Sequence, residues 1–244
     1  MEITRLLTPL FSPRGEPCRP NRTMTPGSVT IHNTANKGAD AERHAQAQAA
    51  GNLAGMQMAV HYYADDKSIY QCLEDHQQGW HAGDGENKNG GNYTSIAIEV
   101  CEHEGIDQRK AFENAARLAA ELCVKYGISI VQHKDWRSAK WPSGKDCPHI
   151  LLNGKDGMDW PWFLGLVVSY LPAPTVDDAA PPAPTPAAPH WAQGSLDRLI
   201  DIGIITTPEA WTDFNAPATK AQTLALAERV LAMAHRWIES IQKG

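Results

Sequence analysis

The segment Thr94–Cys101, with the sequence Thr-Ser-Ile-Ala-Ile-Glu-Val-Cys, places the strongest constraint on the fold of this chain. A near-continuous apolar run of this length is typical of a central β-strand that is buried on both faces. Its single carboxylate, Glu99, is out of place in such a strand, because charged side chains are almost never fully buried without a partner. The segment therefore indicates a sheet-based core and one residue with a special role.

Strand and helix patterns alternate along the first 171 residues. Asp107–Tyr126 carries apolar residues at helical spacing and is stopped by Gly127. Two strand patterns flank the polar turn Asp65–Lys67, which predicts a β-hairpin. The predicted strands are residues 29–32, 56–64, 68–73, 94–101 and 128–131, and the predicted helices are 39–53, 107–126 and 158–171. We therefore predict an α/β domain with a mixed central β-sheet flanked by helices.

Composition divides the chain into further parts. Residues 1–28 are rich in proline and predict an extended arm or loop. From 172 to 189 Pro and Ala dominate, which predicts a semi-rigid linker. Residues 190–244 predict a small helical C-terminal domain of two helices, one on each side of Gly203–Pro208. The expected domains are thus 1–171 and 190–244, joined by the linker 172–189.

Charge and cysteine content restrict the function. The net charge is -6 and the pI about 5.9, which disfavours a nucleic-acid partner because phosphate binding normally requires a basic patch. The chain has no long apolar run, so we expect no membrane span and no signal peptide. The five cysteines show no regular close spacing and predict no disulfide framework. Synthesis in a reducing cytoplasm is the resulting expectation.

The loop from Gln132 to His149 contains two side chains of the types that bind zinc, His133 and Cys147. Catalytic zinc has three protein ligands and one open position in a tetrahedral arrangement. The best third candidate is His32, at the end of the predicted strand 29–32. His149 competes with Cys147, but zinc prefers a thiolate. Both His32 and His133 also suit a core role, although the set of three favours a zinc hydrolase.

Several motifs carry a resemblance to a known family. They are Thr30–Thr34, Ser68–Gln71, Gly79–Gly83, Ser95–Glu99, Gln132–Trp136 and Lys145–His149, and they occur in this order. The set resembles the type 2 N-acetylmuramoyl-L-alanine amidases, the zinc amidases of phage and prophage endolysins, over about residues 28–170. The resemblance implies that His32, His133 and Cys147 bind Zn2+. It also implies that the substrate is the peptidoglycan amide between N-acetylmuramic acid and the first L-alanine of the stem peptide.

The resemblance also assigns catalytic roles to Glu99 and Lys145. Amide hydrolysis needs an activated water, and zinc lowers the pKa of a bound water to about 7. Glu99 on its buried strand is the natural general base for the water and acid for the leaving amine. Lys145, two residues before Cys147, matches a lysine that family members place beside the oxyanion. The alternatives are an ion pair for Glu99 and a plain loop charge for Lys145.

Four further residues are candidates for substrate binding. Trp80 and His81 belong to Gly79–Gly83, a loop that resembles the substrate cleft of the family, and Asn33 directly follows His32. His61 lies on a predicted strand whose period of two places it on the same face as Tyr63. For His81 a structural role, and for His61 core packing, are equally compatible with the sequence.

The C-terminal unit resembles a surface-layer-homology-type repeat over His190–Ile205 and Thr212–Lys220. A helical hairpin that only packs or forms a homodimer explains the same pattern. The whole chain thus predicts an endolysin-like enzyme with a wall-targeting tail, made in the cytoplasm and acting on peptidoglycan after release. A non-catalytic peptidoglycan-binding module and a host autolysin of the same chemistry are the alternatives, and the complete ligand set argues against the first.

Overall fold

The computed structural model describes residues 2–172, and these form one sheet with helices packed against it. The strands are β1 Ile3–Arg5, β2 Ser28–Asn33, β3 Tyr62–Ala64, β4 Ile69–Gln71, β5 Ser95–Val100 and β6 Ser129–Gln132. The helices are α1 Ala41–Ala49, α2 Gly91–Thr94, α3 Gln108–Tyr126, α4 His149–Leu152 and α5 Trp160–Tyr170. Two 3₁₀ turns, His133–Asp135 and Lys155–Gly157, complete the described part of the chain.

The sheet is mixed, in the order β1-β4-β3-β5-β2-β6. The hairpin partners β3 and β4 pair antiparallel, and every other neighbouring pair is parallel. The prediction of a mixed sheet flanked by helices is therefore confirmed. In the register of β2 with β5, His32 pairs with Glu99, so both side chains lie on one face at the carboxyl edge of the sheet.

Helices α3 and α5 pack together beside the sheet. The side chain of Asp107 caps α3 by accepting from the Lys110 N–H, and Gly127 ends the helix in the left-handed conformation, with φ of +65°. Phe112 of α3 contacts Trp162 and Phe163 of α5 edge-on. This packing buries the apolar stripe that the sequence predicts for residues 107–126.

Helix α1 covers the sheet near the hairpin. Ala41 and Ala45 are fully buried and join Tyr63 of β3 and Ala97 of β5 in one core cluster. The turn between β3 and β4 supports the start of the helix, because the carboxylate of Asp65 accepts from the Ala41 N–H at 3.0 Å. The polar turn therefore closes the hairpin and anchors α1 at the same time.

Three predicted elements differ from the structure. The prediction of an extended arm or loop over residues 1–28 did not include a sheet strand, whereas Ile3–Arg5 forms the edge strand β1 paired with β4. The predicted strand 56–64 is regular only at Tyr62–Ala64, since among residues 56–61 only Ala59 makes a bridge, with Trp80. The predicted strand 94–101 begins one residue later, at Ser95, because Thr94 ends the short helix α2, which runs directly into β5.

Four predictions lie outside the described residues: the linker 172–189 apart from Pro172, the helical unit 190–244, the surface-layer-homology-like pattern and the homodimer. Within residues 2–172, none of the helices is both long and apolar enough to cross a membrane.

Candidate metal centre and active site

The carboxyl edge of the sheet brings together side chains that are far apart in the sequence. His32 is the second-last residue of the buried strand β2, and Glu99 pairs with it on β5. His133 begins the 3₁₀ turn that follows β6. Parallel strands deliver their carboxyl ends to the same edge, and polar side chains there face a common space. Cys147 reaches this space from the loop that precedes α4.

His32, His133 and Cys147 are the one group of three or more possible metal ligands found among residues 2–172, with ligand atoms within 4.8 Å of one another. His32 Nδ1 lies 2.8 Å from His133 Nδ1 and 3.8 Å from Cys147 Sγ. Both histidines are at least 95% buried, and Cys147 is partly buried.

Main-chain carbonyl groups assign the tautomer of His133 and, through a neighbour, that of His32. His133 Nε2 lies 3.1 Å from the carbonyl oxygen of Ala82. A carbonyl oxygen only accepts, so this nitrogen carries the hydrogen and Nδ1 keeps its lone pair. His32 Nε2 is engaged by His81, whose own Nε2 faces the carbonyl of Ser95, both at 3.1 Å. The two Nδ1 lone pairs therefore point toward each other and toward Cys147.

The donor set fits a zinc ion. Two atoms bound to one tetrahedral zinc lie about 3.3–3.6 Å apart at the usual bond lengths, and the separations of 2.8 and 3.8 Å bracket that span. Burial, followed by the neighbouring histidines and Lys145, holds the pKa of His32 well below its usual range. Burial and then Lys145 lower the pKa of His133 to about 4. Both rings are thus neutral ligands at neutral pH.

Cys147 is held in place by main-chain groups on both sides of the site. Its Sγ accepts from the Asn33 N–H at 3.4 Å, and its carbonyl oxygen accepts from the Lys134 N–H at 2.8 Å. Burial, with Glu99 adding to it, raises the pKa of the thiol above its usual value. A coordinated metal ion overrides such an effect, because a coordinating thiol is deprotonated outright.

Glu99 lies beside the cluster with one oxygen uncommitted. Its Oε1 is 3.8 Å from His32 Nδ1, and Oε2 has no hydrogen-bond donor among the residues described. The residue is 7% exposed, and burial raises its pKa to about 8 although Lys145 opposes the shift. Within residues 2–172 Glu99 forms no ion pair with a Lys or Arg, so the structure gives no support to the alternative of a simple salt bridge.

Lys145 borders the same space from the loop side. Its Nζ lies 5.3 Å from the centroid of the Trp141 ring and packs against Gly83. A side chain at Gly83 would bring its Cβ to 3.5 Å from that Nζ, and the φ of +68° there also favours glycine. The positive charge is close enough to lower the pKa values of both His133 and Glu99.

His149 is not part of the ligand cluster. Its Nε2 lies 3.1 Å from Oε2 of the buried residue Glu102, which also accepts from Lys37. This hydrogen bond engages the ring outside the ligand cluster and leaves Cys147 as the third ligand candidate of the loop.

The four predicted substrate contacts occupy different environments. Trp80 is partly exposed, and its main chain pairs with Ala59. His81 is buried behind His32. Asn33 accepts from the Ile150 N–H and donates to the Val100 carbonyl, so its side chain holds α4 against β5. His61 is fully buried, with its ring bonded to the Ala97 N–H and the Gln77 carbonyl, which corresponds to the alternative of core packing.

Asn92 is a site-forming residue that sequence reasoning did not identify. Its Oδ1 accepts from the N–H groups of both His81 and Ala82 at 2.8 Å. Asn92 thereby fixes the loop whose carbonyl group at Ala82 orients His133. The glycine and asparagine content of residues 85–92 was the available indication of a constrained loop, because such residues accommodate unusual turns.

A mixed α/β sheet with a His, His, Cys cluster at its carboxyl edge defines a candidate zinc-hydrolase domain. The family model of N-acetylmuramoyl-L-alanine amidase matches residues 22–150. The chain therefore belongs to the N-acetylmuramoyl-L-alanine amidase family, which confirms the resemblance found in the motifs.

Individual relatives agree with this assignment. CwlH of Bacillus subtilis (strain 168), an N-acetylmuramoyl-L-alanine amidase, is 38% identical over 72% of this chain and 66% of its own length. XlyA of the same strain is 42% identical over 60% of this chain and 47% of its own length. The solved catalytic domain of XlyA is 36% identical, with a TM-score of 0.57, and the match covers 68% of this chain and 99% of that domain. The match thus spans 66% of the length of CwlH and 47% of the length of XlyA, less than two thirds of each curated relative.

Proposed function

We propose that this chain is a zinc-dependent hydrolase of the amide bond between N-acetylmuramic acid and L-alanine in bacterial peptidoglycan. The observation that carries the proposal is the convergence of His32 Nδ1, His133 Nδ1 and Cys147 Sγ within 4.8 Å in a chain of the amidase family. One thiolate and two neutral imidazoles leave a divalent ion with a formal charge of about +1, which suits the activation of water.

Glu99 is proposed as the general base and acid. Zinc, when bound, supplies an acidified water and polarises the carbonyl of the scissile amide. Glu99 then takes the proton of the attacking water and passes it to the nitrogen of the leaving L-alanine. Its uncommitted Oε2 supports this role, and its Oε1 lies 3.8 Å from His32 Nδ1 of the cluster. A cation held beside it also favours the ionised form that a base requires.

Lys145 is proposed to stabilise the negative charge that develops on the amide oxygen. Its ammonium group lies next to Gly83 and the Trp141 ring, near enough to the cluster to lower the pKa values of both His133 and Glu99. A preorganised cation at this position stabilises the oxyanion more strongly than water does. Trp80, whose side chain is partly exposed next to His81, remains the proposed substrate contact of the Gly79–Gly83 loop.

The test is digestion of purified cell walls followed by mass analysis of the released bond ends. An amidase releases free L-alanine amino termini together with intact N-acetylmuramic acid, and the zinc-loaded protein is expected to give these products. Release of reducing sugar ends or of internal peptide termini would assign a different bond. Intact walls that retain the zinc-loaded protein without any cleavage would support the non-catalytic binding module instead.

We also propose that residues 190–244 direct the enzyme to the wall in an endolysin-like lytic role. This segment has five Lys or Arg and six Asp or Glu, a net charge of -1, so bulk attraction to the wall is not its mechanism. A chain that ends at Leu171 is expected to cleave soluble muropeptides normally and whole walls more slowly. Equal rates on whole walls would show that the segment does not target, whereas monomeric masses in solution for both the full chain and the truncated chain would exclude pairing.

A further inference from the structure

His81 lies behind the candidate metal ligands and not in front of them. Its ring is buried between His32 and strand β5, and the residue is 8% exposed. Nδ1 is 3.1 Å from His32 Nε2, and Nε2 is 3.1 Å from the carbonyl oxygen of Ser95. The rings of His81 and His32 meet edge to face, with an interplanar angle of 85°. Both ring nitrogens of His81 are thus engaged within the protein.

The direction of each hydrogen bond in this chain can be assigned. The Ser95 carbonyl only accepts, so His81 Nε2 carries a hydrogen. A neutral imidazole has one donor and one acceptor nitrogen, so His81 Nδ1 is the acceptor. It therefore receives the hydrogen of His32 Nε2, which leaves the lone pair of His32 on Nδ1. That nitrogen is the one that faces His133 and Cys147.

The surroundings of His81 hold its ring in one orientation. The main-chain N–H of His81 donates to Asn92 Oδ1 at 2.8 Å, which fixes the backbone at this position. Close packing continues on the other side, because a Cβ at Gly79 would come within 3.2 Å of the ring carbon Cδ2 of His81 and 2.8 Å of the Ala59 carbonyl. A ring turned toward the cleft would lose its hydrogen bonds to His32 and to the Ser95 carbonyl.

We propose that His81 is a positioning residue that fixes the tautomer and ring orientation of His32 so that Nδ1 faces the metal. Ligand histidines usually donate their second ring hydrogen to a carboxylate, a carbonyl or water, and loss of such a partner typically lowers metal affinity about 10–100-fold. Here a second histidine is that partner. The Ser95 carbonyl fixes the hydrogen on His81 Nε2, so His81 Nδ1 accepts the hydrogen of His32 Nε2. The inference rests on the proposed metal site and replaces the predicted substrate contact of His81.

Two isosteric substitutions distinguish the role of His81 Nδ1 from that of His81 Nε2. The amide of asparagine occupies the place of Nδ1, so His81→Asn keeps an acceptor for His32 and loses the bond to Ser95. The amide of glutamine occupies the place of Nε2, so His81→Gln keeps the bond to Ser95 and loses the acceptor. Zinc affinity, measured by competition with a chromophoric chelator, is expected to fall about 10–100-fold in His81→Gln and to stay within a few-fold of the native value in His81→Asn.

Kinetics at saturating zinc distinguish positioning from substrate contact. If His81 only positions His32, KM for a soluble muropeptide is unchanged in both variants once zinc is saturating. Native zinc affinity in His81→Gln, or a raised KM in both variants with native zinc affinity, would overturn the proposal. Thermal unfolding of the metal-free proteins shows whether each variant is folded.

A measurement on the native protein provides a second test that does not depend on any variant. Long-range ¹H–¹⁵N spectra report which imidazole nitrogens carry hydrogen, in the metal-free and zinc-loaded states alike. Hydrogen is expected on Nε2 of both His32 and His81 in each state, and hydrogen on His32 Nδ1 would refute the inference. A native protein that binds no zinc would reject the proposed function, whereas the metal-free spectrum would still decide the role of His81.

Discussion

Two buried polar clusters in residues 2–172 differ in how far protein donors satisfy their acceptor atoms. Around Asp75 every carboxylate oxygen has a donor, since Oδ1 accepts from Tyr62 and Oδ2 accepts from Lys125 at 2.9 Å and Tyr126 at 2.7 Å. At the carboxyl edge of the sheet, two Nδ1 lone pairs face each other and the Oε2 atom of Glu99 lacks a donor. The first, complete cluster is satisfied by protein donors, whereas the second, incomplete cluster holds acceptor atoms that no donor among the described residues satisfies.

The carboxyl groups of the two clusters show the same contrast in their pKa values. Burial acts to raise both values. At Asp75 the hydrogen bonds from Tyr62, Tyr126 and Lys125 outweigh burial, so its pKa lies below the usual value. At Glu99 burial dominates and the pKa is about 8. Hydrogen-bond donors, and not the degree of burial, therefore decide whether a buried carboxylate stabilises the fold or remains available for chemistry.

The largest expected effect comes from removing a ligand of the incomplete cluster. Cys147→Ser is expected to lower zinc affinity by more than about 10²-fold, because loss of an outer partner alone costs 10–100-fold, and to abolish nearly all amidase activity. Metal analysis after dialysis and the muropeptide assay measure the two effects. Cys123→Ser is the matched control, because Cys123 is buried in α3 away from the cluster. Full zinc in Cys147→Ser would remove this residue from the site.

The second effect separates metal binding from proton transfer. Glu99→Gln is expected to keep zinc and the fold but to lower kcat by about 10²–10⁴-fold, the usual contribution of general acid–base catalysis. Steady-state kinetics on a soluble muropeptide, with zinc content measured on the same sample, give the result. Glu113→Gln on the partly exposed face of α3 serves as the control. Turnover equal to that of the native protein would leave the proposed reaction without this base.

The third effect belongs to the complete cluster and concerns stability. Asp75→Asn is expected to lower the free energy of unfolding by about 1–3 kcal/mol at pH 7, because charged hydrogen bonds are lost in a buried site. The folded pKa of Asp75 is depressed, so its contribution is present above the unfolded pKa of about 3.9 and disappears as pH falls through the folded value. Denaturant unfolding at pH 7 and at decreasing pH measures the difference between variant and native protein. A difference that persists unchanged in strong acid would contradict the assigned cause, and zinc affinity is expected to stay native.

The smallest effect removes one donor and keeps the carboxylate. Tyr126→Phe is expected to cost about 0.5–1.5 kcal/mol, since the ring is partly exposed and Asp75 retains three other donors, on Tyr62, Lys125 and Gln71. Chemical denaturation beside Asp75→Asn gives the comparison. A loss as large as that of Asp75→Asn would mean that the cluster acts as one unit and not through separate bonds.

Local sequence patterns were sufficient for some parts of the molecule and not for others. The apolar run of β5, with Glu99 inside it, and the stripe of α3 carry their signal in consecutive residues, and both elements form as predicted. Strand β1 was missed because a three-residue edge strand is defined by its pairing with β4, which lies more than 60 residues away. Such pairing leaves little trace in a short segment.

The same limit applies inside the candidate site. The residue types and motif order indicated His32, His133 and Cys147, since metal-binding side chains are recognisable one by one. The position of His81 was not predictable, because it depends on the orientation of a ring and on the carbonyl group of Ser95. Main-chain groups carry no sequence signature, so residues that act through them are recognised only in three dimensions.

The spacing of the three candidate ligands along the chain has a consequence for the lifetime of the protein. His32 and Cys147 are 115 residues apart, so an unfolded chain does not present them together. A metal ion that binds only the folded state acts as a removable cross-link, and a hundredfold excess over its Kd adds about 2.7 kcal/mol to stability. If the site binds zinc as proposed, scarcity of the metal would make the domain easier to degrade by proteases as well as inactive.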